Sequence, residues 1–466
     1  MVQFGLIDSL LIVAYFAAVV GIGIRAGRKA RGGGEDYLLA GRTLTLPMFI
    51  ATLVSTWYGG ILGVGEFSYR FGISNWVVFG VPYYLFAIVF ALVLAKRIRA
   101  SNFVTIPDQL ESVYGRRTAI LGGVLTFILE TPAPYVLMLG ILLQLIFGLH
   151  LVVSVLLATF LSIFYLRVGG FRSDIWTNAF EFLLMFVGFA LILPFAHMKF
   201  GGLAFIESHV PPPHLTWHGN NSWQYILVWF FIALWTLVDP AFYQRCFAAN
   251  NAKTARRGIL LSIPFWFVFD FMTSVAGLYA RAALPHLPDP TYAYPMLAEV
   301  TLPVVAKALF YIGMLATIMS TLSSLTFISA TAVGKDIAAR IKPSLSSPSF
   351  VDRWTKIGLL VSAVFSIGLA LLVPSVVRLW YSIGTAIIPG LLIPVLSSYS
   401  SRLRIPRGYA FLAMLLGWLV STIALLFGLL AGTPGHPSYV LGIEPMYPGL
   451  AAAVVVWGVG KIRTTP

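Results

Sequence analysis

Long apolar stretches recur along the whole chain, and the polar and charged residues are concentrated in the short segments between them. Stretches of this length are typical of helices that cross a hydrocarbon core of ~30 Å. We therefore predict an all-α integral membrane protein with about thirteen transmembrane helices. The predicted spans are 6–24, 44–69, 75–94, 118–147, 151–165, 175–193, 222–242, 258–280, 304–332, 357–373, 379–399, 409–430 and 449–459.

Composition supports a membrane protein rather than several soluble domains. Hydrophobic residues make up 59% of the 466 residues and charged residues only 10%, against roughly 25% charged in ordinary soluble proteins. No polar segment is long enough to form a soluble domain between the apolar stretches. We predict one transmembrane domain that occupies residues 1–466.

The formal net charge of +14 indicates membrane topology rather than nucleic-acid binding, because the basic residues form short clusters between apolar stretches. Asp8 stands at the start of the first stretch, and a basic cluster that begins at Arg25 follows it. This order favours a retained first helix, an N-terminus outside the cell and a C-terminus in the cytoplasm. On this topology 26 of the 31 basic residues are cytoplasmic. The five outer ones are Arg70, Lys199, Arg281, Lys307 and Arg378.

The second predicted span contains the run S-T-W-Y-G-G at 55–60, followed by Gly63 and Gly65. Each glycine weakens a helix by about 1 kcal/mol relative to alanine. Backbone carbonyls freed at membrane depth are tolerated where they line a cavity or bind a ligand. Small residues also allow neighbouring helices to pack closely. From the glycines alone, a broken helix and a close helix contact remain equally open.

Several segments, in order along most of the chain, resemble the sodium/solute symporter family, whose members carry proline, pantothenate, monocarboxylates, choline and sugars. Each segment is short, but the ordered set is specific. They are E-D-Y-L-L-A-G-R at 35–42, T-I-P-D at 105–108 with Tyr114-Gly115, Gly169-Gly170 with Trp176-Thr177, Asp239-Pro240 with Gln244-Arg245 and Ala248-Ala249, and A-T-I-M-S-T-L at 316–322.

The resemblance implies the leucine-transporter fold, in which five helices are repeated with inverted topology and the first helix of each repeat is broken. On the predicted spans the repeats would be 44–193 and 222–399. One extra helix at 6–24 would precede them, and two helices within 409–459 would follow.

The resemblance also implies a sodium site between the broken helix and the serine/threonine pair of the eighth core helix. Sodium is a hard cation that prefers several oxygen ligands. The implied ligands are the backbone carbonyls of Ser55, Tyr58 and Thr317 and the hydroxyls of Ser320 and Thr321. Without the resemblance, these hydroxyls would more often bond to carbonyls of their own helix.

A solute site beside the ion would be formed by the helix break and by aromatic and acidic side chains. Acidic residues inside a membrane are costly, and therefore they indicate function or a protonated structural role. Sugar is the least favoured solute, because Ile61 and Leu62 follow the break where the sugar carriers have polar residues. The candidate solute and gate residues are Trp57, Tyr58, Gly59, Gly60, Leu62, Glu130, Trp235 and Asp270.

Two positions depart from the family pattern. Asn178 stands where many relatives have an aspartate after the tryptophan-threonine pair, and Glu181 replaces a glutamine one turn later. A second sodium site that uses that aspartate is therefore not expected. The displaced acid leaves coupling to protons open, and both residues are coupling candidates.

We expect a secondary active transporter of the plasma membrane that couples sodium to a small organic solute by alternating access. Amino acids and other small zwitterions rank slightly ahead of small carboxylates. A proton-coupled symporter of the same fold is the alternative, and an intramembrane enzyme or a channel is less favoured. The chain has no phosphate-binding G-x-x-x-x-G-K-[ST], no H-E-x-x-H and no G-x-S-x-G. We expect sodium as co-transported ligand, a lipid bilayer around the protein, and no organic cofactor, nucleic acid or obligatory protein partner.

Overall fold

The computed structural model describes residues 4–28, 34–433 and 437–463, and nearly all of this part of the chain is helical. A helix satisfies its backbone hydrogen bonds internally, which a membrane interior requires. The predicted all-α fold is thus confirmed. The helices are α1 (Leu6–Gly27), α2 (Glu35–Leu39), α3 (Leu46–Trp57), α4 (Ile61–Phe71), α5 (Val81–Val89), α6 (Ala95–Ala100), α7 (Ile106–Tyr114), α8 (Arg116–Leu129), α9 (Ala133–Phe147), α10 (Leu151–Phe200), α11 (Leu203–His209), α12 (Trp223–Ile232), α13 (Pro240–Ala248), α14 (Ala252–Ala283), α15 (Ala293–Thr301), α16 (Val304–Thr331), α17 (Ala339–Ile341), α18 (Pro348–Leu372), α19 (Val376–Ser398), α20 (Arg407–Ala431) and α21 (Met446–Ile462).

Short π-helical segments at Trp76–Gly80, Phe90–Leu94 and Ala332–Ala338 continue the α-helices beside them. In the described residues, ten helical runs are long and apolar enough to cross a membrane, and the bent pair α3–α4 raises the number to eleven. The 50-residue helix α10 covers two predicted spans. Gly170, with φ +54° and ψ −138°, interrupts it between them. Helix α21 is shorter but apolar. Each predicted span is therefore helical, as one helix, part of a helix or two helices in succession, while the count of thirteen and the two-repeat layout stay predictions.

The second predicted span is broken. Helix α3 ends at Trp57, α4 begins at Ile61, and the two are bent by 58° relative to each other. Residues 58–60 between them include the glycine pair that weakens a continuous helix. A second interruption lies between α12 and α13, where the chain forms a 3₁₀ turn at Ala233–Leu237 and Asp239 then caps α13.

The sequence interpretation placed Glu130 within a continuous helix, but the structure places it at a break between two helices. Helix α8 ends at Leu129 and α9 begins at Ala133. Pro132 and Pro134 lack the N–H groups that would continue the helical hydrogen bonds across this point. The carboxyl group therefore leaves the chain at an interruption of the helix.

Helices α10 and α16 pack closely against each other, and Gly188 faces Gly313. A Cβ atom on Gly188 would lie 2.8 Å from the Cα of Gly313, so the contact requires the absence of a side chain. Outward-facing apolar side chains remain uncovered on the periphery, such as Leu183 in α10 and Leu360 and Val364 in α18. Large uncovered apolar surfaces are what a lipid-facing protein presents.

Candidate ion and solute site

The helix break lies directly against α16. A Cβ atom on Gly59 would lie 2.0 Å from the hydroxyl oxygen of Thr321, and one on Gly60 would lie 2.2 Å from the ring of Trp380. No side chain larger than hydrogen fits in either direction. The glycine pair therefore breaks the helix and also allows it to approach α16 and α19, so both readings of the glycines apply.

Hydroxyl groups of α16 meet backbone carbonyls at the end of α3. The Ser320 hydroxyl donates to the Ser55 carbonyl at 3.0 Å and lies 3.0 Å from the Thr317 carbonyl oxygen. The Thr321 hydroxyl donates to the Thr56 carbonyl at 2.7 Å and lies 3.2 Å from the Ser55 carbonyl oxygen. Five neutral oxygen atoms thus converge between two helices, and all four side chains of the predicted set at 55, 317, 320 and 321 are buried.

This group of oxygens fits a sodium ion by its chemistry, since hard cations take carbonyl and hydroxyl ligands. The Thr56 carbonyl belongs to the group although the sequence analysis did not name it. The side chain of Tyr58 points away from this group of oxygens. Its hydroxyl donates to the Asp270 carboxylate and lies 2.8 Å from the Thr273 hydroxyl on α14. A role of the Tyr58 carbonyl in ion binding stays a prediction.

A fully buried ion pair adjoins the oxygen group. A guanidinium nitrogen of Arg245 lies 3.3 Å from the Asp174 carboxylate, and neither side chain has any exposed surface. The same nitrogen donates to the Thr56 hydroxyl at 2.7 Å. The hydroxyls of Ser323 and Ser324 donate to Asp174 at 2.9 and 2.8 Å. Buried charges persist where partners and hydrogen bonds surround them, as they do here.

The two coupling candidates occupy different surroundings. The Asn178 amide donates to the Ser324 hydroxyl at 2.9 Å and to the Thr56 hydroxyl at 3.1 Å, so it is part of the network around the ion pair. Glu181 lies further along α10, where it accepts a hydrogen bond of 3.0 Å from the Tyr15 hydroxyl of α1. Its second carboxylate oxygen has no hydrogen-bond partner among the described residues.

A cavity lies directly beside the break. It brings together most of the predicted solute residues with others that the sequence analysis did not single out. Gly59 lies against Thr321 instead, and Leu62 is fully buried but does not line the cavity. The lining residues are Thr56, Trp57, Tyr58, Gly60, Val64, Phe79, Tyr83, Glu130, Tyr135, Trp229, Ile232, Trp235, Asp239, Ala241, Asp270, Thr321, Leu325 and Trp380.

Three carboxyl groups line this cavity, and they differ in how far their oxygens are used. Asp239 accepts hydrogen bonds from the backbone N–H groups of Ala241 and Phe242 at the start of α13. Asp270 accepts from the hydroxyls of Tyr58 and Tyr84. Neither carboxylate oxygen of Glu130 has a hydrogen-bond partner among the described residues.

Sequence reasoning missed Asp174, Trp229 and Trp380, and named Asp239 and Arg245 only as parts of a motif. Asp174 is an intramembrane acid one turn before Asn178, so a stricter search for such acids would have found it. The position of Trp380 against Gly60 carries no local signal, because the two residues are far apart in the chain.

An ionic cluster lies at the far end of α16, outside the cavity. Arg340 contacts Asp108 at 2.6 Å and Glu111 at 2.8 Å, and Lys335 contacts Asp108 at 3.0 Å. Burial alone would raise the pKa of the Asp108 carboxyl, but Lys335 and Arg340 outweigh burial and hold that pKa below its usual value. Helix α7 is thereby fixed to the helical segments that continue α16, the helix that carries Ser320 and Thr321.

Comparison with known proteins agrees with this architecture. A high-affinity choline transporter of Drosophila melanogaster is 25% identical over 79% of this chain, which spans only 63% of that protein's length. A sodium/pantothenate symporter of Escherichia coli is 25% identical over 72% of this chain and 73% of its own. A sodium/proline symporter of Staphylococcus aureus is 24% identical over 98% of this chain and 93% of its own.

Solved structures show the same fold. A sodium-coupled sialic acid symporter superposes with a TM-score of 0.80 at 18% identity, covering 99% of this chain and 98% of its own. The transporter MhsT bound to L-phenylalanine superposes with a TM-score of 0.54 at 14% identity, covering 90% and 98%. The leucine-transporter fold implied by the sequence is therefore confirmed. The model of the sodium:solute symporter family matches residues 37–417, and the chain belongs to that family.

Proposed function

We propose that this protein carries a small organic solute across the plasma membrane together with sodium, by alternating access. The observation that carries the proposal is the group of five oxygen atoms at the helix break. They are the carbonyl oxygens of Ser55, Thr56 and Thr317 and the hydroxyl oxygens of Ser320 and Thr321. Sodium held there would fix α3 against α16. Family membership and the named activities of the relatives support the same reading.

The ion group and the cavity share residues, which gives a physical route for coupling. Thr56 and Thr321 both belong to the oxygen group and both line the cavity. An ion that orders these residues completes one wall of the solute site. By thermodynamic linkage the solute then strengthens ion binding by the same factor.

One sodium ion suffices energetically. A tenfold sodium gradient supplies ~1.4 kcal/mol, and a membrane potential of 100 mV adds ~2.3 kcal/mol for one charge. Together these support a several-hundredfold gradient of a neutral or zwitterionic solute. Asp174, the acid one turn before Asn178, is already paired with Arg245. We therefore propose no second sodium ion beside Asn178.

The solute class we favour is small molecules that contain both apolar and polar parts. The cavity wall is mainly aromatic and carries three carboxyl groups, a combination that disfavours free carboxylates and sugars. Relatives named for choline and proline transport are consistent with this order. Among the earlier candidates, amino acids and related zwitterions thus move further ahead of small carboxylates.

Coupling to protons remains the second candidate because of Glu181, whose free carboxylate oxygen lies in the membrane interior. Replacing external sodium with potassium at constant pH separates the two ions. A proton-coupled carrier would keep its uptake in potassium and lose it when the pH gradient is removed.

The test of the sodium site is the double variant Ser320→Ala/Thr321→Ala. It removes two of five oxygen ligands and adds no charge. We expect sodium-dependent stabilisation of the purified protein to need at least tenfold more sodium, and sodium-driven uptake in proteoliposomes to fall accordingly.

The matched control is Thr326→Ala on the same helix, because that hydroxyl donates to the Leu322 carbonyl one turn earlier. The control should retain the sodium dependence of the unmodified protein. Equal sodium dependence in the double variant and the control would place the ion elsewhere.

A further inference from the structure

The Glu130 carboxylate is an unused acceptor in the cavity wall. It is 1% exposed and lies at the interruption between α8 and α9. The Trp235 indole faces it, but their polar atoms do not meet in hydrogen-bond geometry. A buried carboxylate without partners is costly. Asp239 already accepts from two backbone N–H groups through Oδ1, and Asp270 accepts from two tyrosine hydroxyls, one on each oxygen. Glu130 is therefore the lining acid that keeps its full capacity for a ligand.

Aromatic side chains form most of the remaining wall. Eight of the eighteen lining residues are aromatic, and several of them contact one another. The rings of Trp57 and Tyr83 are 5.3 Å apart in an edge-on arrangement, and those of Tyr135 and Trp380 are 6.3 Å apart. Such rings offer negative π faces to a cation as well as apolar surface to alkyl groups.

The cavity lining contains acidic residues and no basic ones among the described residues. Its described residues include three carboxyl groups and no lysine, arginine or histidine. The nearby Arg245 is engaged with Asp174 and the Thr56 hydroxyl. A free carboxylate solute would thus meet three acids and no resident base in the cavity.

We infer that the solute carries a positively charged, alkylated nitrogen, which lies against Glu130 and between the aromatic side chains. The apolar substituents on the nitrogen would contact the indole and phenol rings while the charge offsets that of the carboxylate. This inference rests on the proposed function and narrows its solute to organic ammonium compounds.

The first test compares two pairs of isosteres in which only the charged nitrogen is replaced by carbon. Choline is compared with 3,3-dimethylbutan-1-ol, and glycine betaine with 3,3-dimethylbutanoate. Each is titrated against the purified protein in sodium, with thermal unfolding as the readout. We expect each ammonium compound to act at a concentration at least tenfold lower than its carbon isostere, a difference of about 1.4 kcal/mol.

The second test is Glu130→Gln, which keeps the shape of the side chain and removes its charge. We expect the apparent affinity for choline to fall at least tenfold, while that for 3,3-dimethylbutan-1-ol is unchanged. The matched control is Glu66→Gln, because Glu66 pairs with Arg70 at 3.1 Å and does not line the cavity. This variant should bind choline as the unmodified protein does.

Sodium is also titrated alone in the same assay. This titration distinguishes a failure of sodium coupling from a failure of the proposed solute class. Stabilisation by sodium without any preference for the ammonium member of either pair overturns the solute class and leaves sodium coupling intact. Loss of the sodium effect contradicts the proposed function instead. If Glu130→Gln does not fold, the isostere comparison in the unmodified protein still decides the solute class.

Discussion

At the scale of single residues, Gly59 determines how closely the broken helix approaches α16. A methyl group at this position would occupy the space of the Thr321 hydroxyl, 2.0 Å away. The neighbouring hydroxyl of Ser320 reaches the Ser55 carbonyl only because the two helices are this close. The absence of a side chain at Gly59 is thus a requirement of the proposed ion site.

We predict that Gly59→Ala separates α3 from α16 and weakens sodium binding. Overpacking at buried positions costs about 1–3 kcal/mol, which should appear as a lower melting temperature together with a higher sodium requirement. The control is Gly368→Ala in α18, where an added Cβ meets no atom within 4 Å. That change should leave sodium dependence unaltered and stabilise by about 0.4–1 kcal/mol. Normal sodium dependence in Gly59→Ala would show that the close approach is not needed.

At the scale of elements, four helices meet at one buried ion pair. Arg245 comes from α13 and Asp174 from α10, while Thr56 of α3 and Ser324 of α16 complete their hydrogen bonds. Two of these helices also carry the oxygens of the ion group. Removing one partner of a buried pair leaves an uncompensated charge and typically costs about 3–5 kcal/mol.

A double-mutant cycle tests this connection. We predict that Asp174→Asn and Arg245→Gln each destabilise the protein strongly and that the double variant is far less destabilised than the sum. Thermal unfolding in detergent measures the coupling. The Glu66–Arg70 pair of α4 is the reference, because its arginine is half exposed and such pairs contribute only about 0.2–1 kcal/mol. Additive effects at Asp174 and Arg245 would mean that the pair does not hold the helices together.

At the scale of the whole molecule, the uneven distribution of basic residues predicts the orientation in the membrane. The first turn of α14 contains Lys253 and lies on the predicted cytoplasmic side, whereas α11 with Glu207 lies on the predicted outer side. Both side chains are exposed, while the native Cys246 is fully buried. Single cysteines at the two positions therefore report on the two sides.

We predict that a membrane-impermeant thiol reagent applied to intact cells labels Glu207→Cys but not Lys253→Cys. In inside-out vesicles the result should be reversed. The protein with Cys246 alone should show no labelling from either side. Labelling of Lys253→Cys in intact cells would invert the proposed topology.

The local features of this architecture were predictable from sequence, and the long-range pairings were not. The glycines at 59 and 60 predicted a weakened helix because glycine acts on its own backbone. The roles of Ser320 and Thr321 came from family resemblance, since hydroxyls in membrane helices usually bond within their own helix. The Asp174–Arg245 pair was missed because its members are far apart in the chain. Glu130 was assigned to a continuous helix although Pro132 and Pro134 interrupt it.

Thr56 faces two partners at once, since its carbonyl accepts from Thr321 and its hydroxyl accepts from Arg245. In evolutionary terms, the ion group and the ion pair cannot drift independently, because a substitution that shifts α3 disturbs both. The stretch of cavity wall at Trp235 belongs to neither the ion group nor the ion pair. Cargo preference can therefore diverge on that wall while the machinery that harnesses the ion gradient is inherited unchanged.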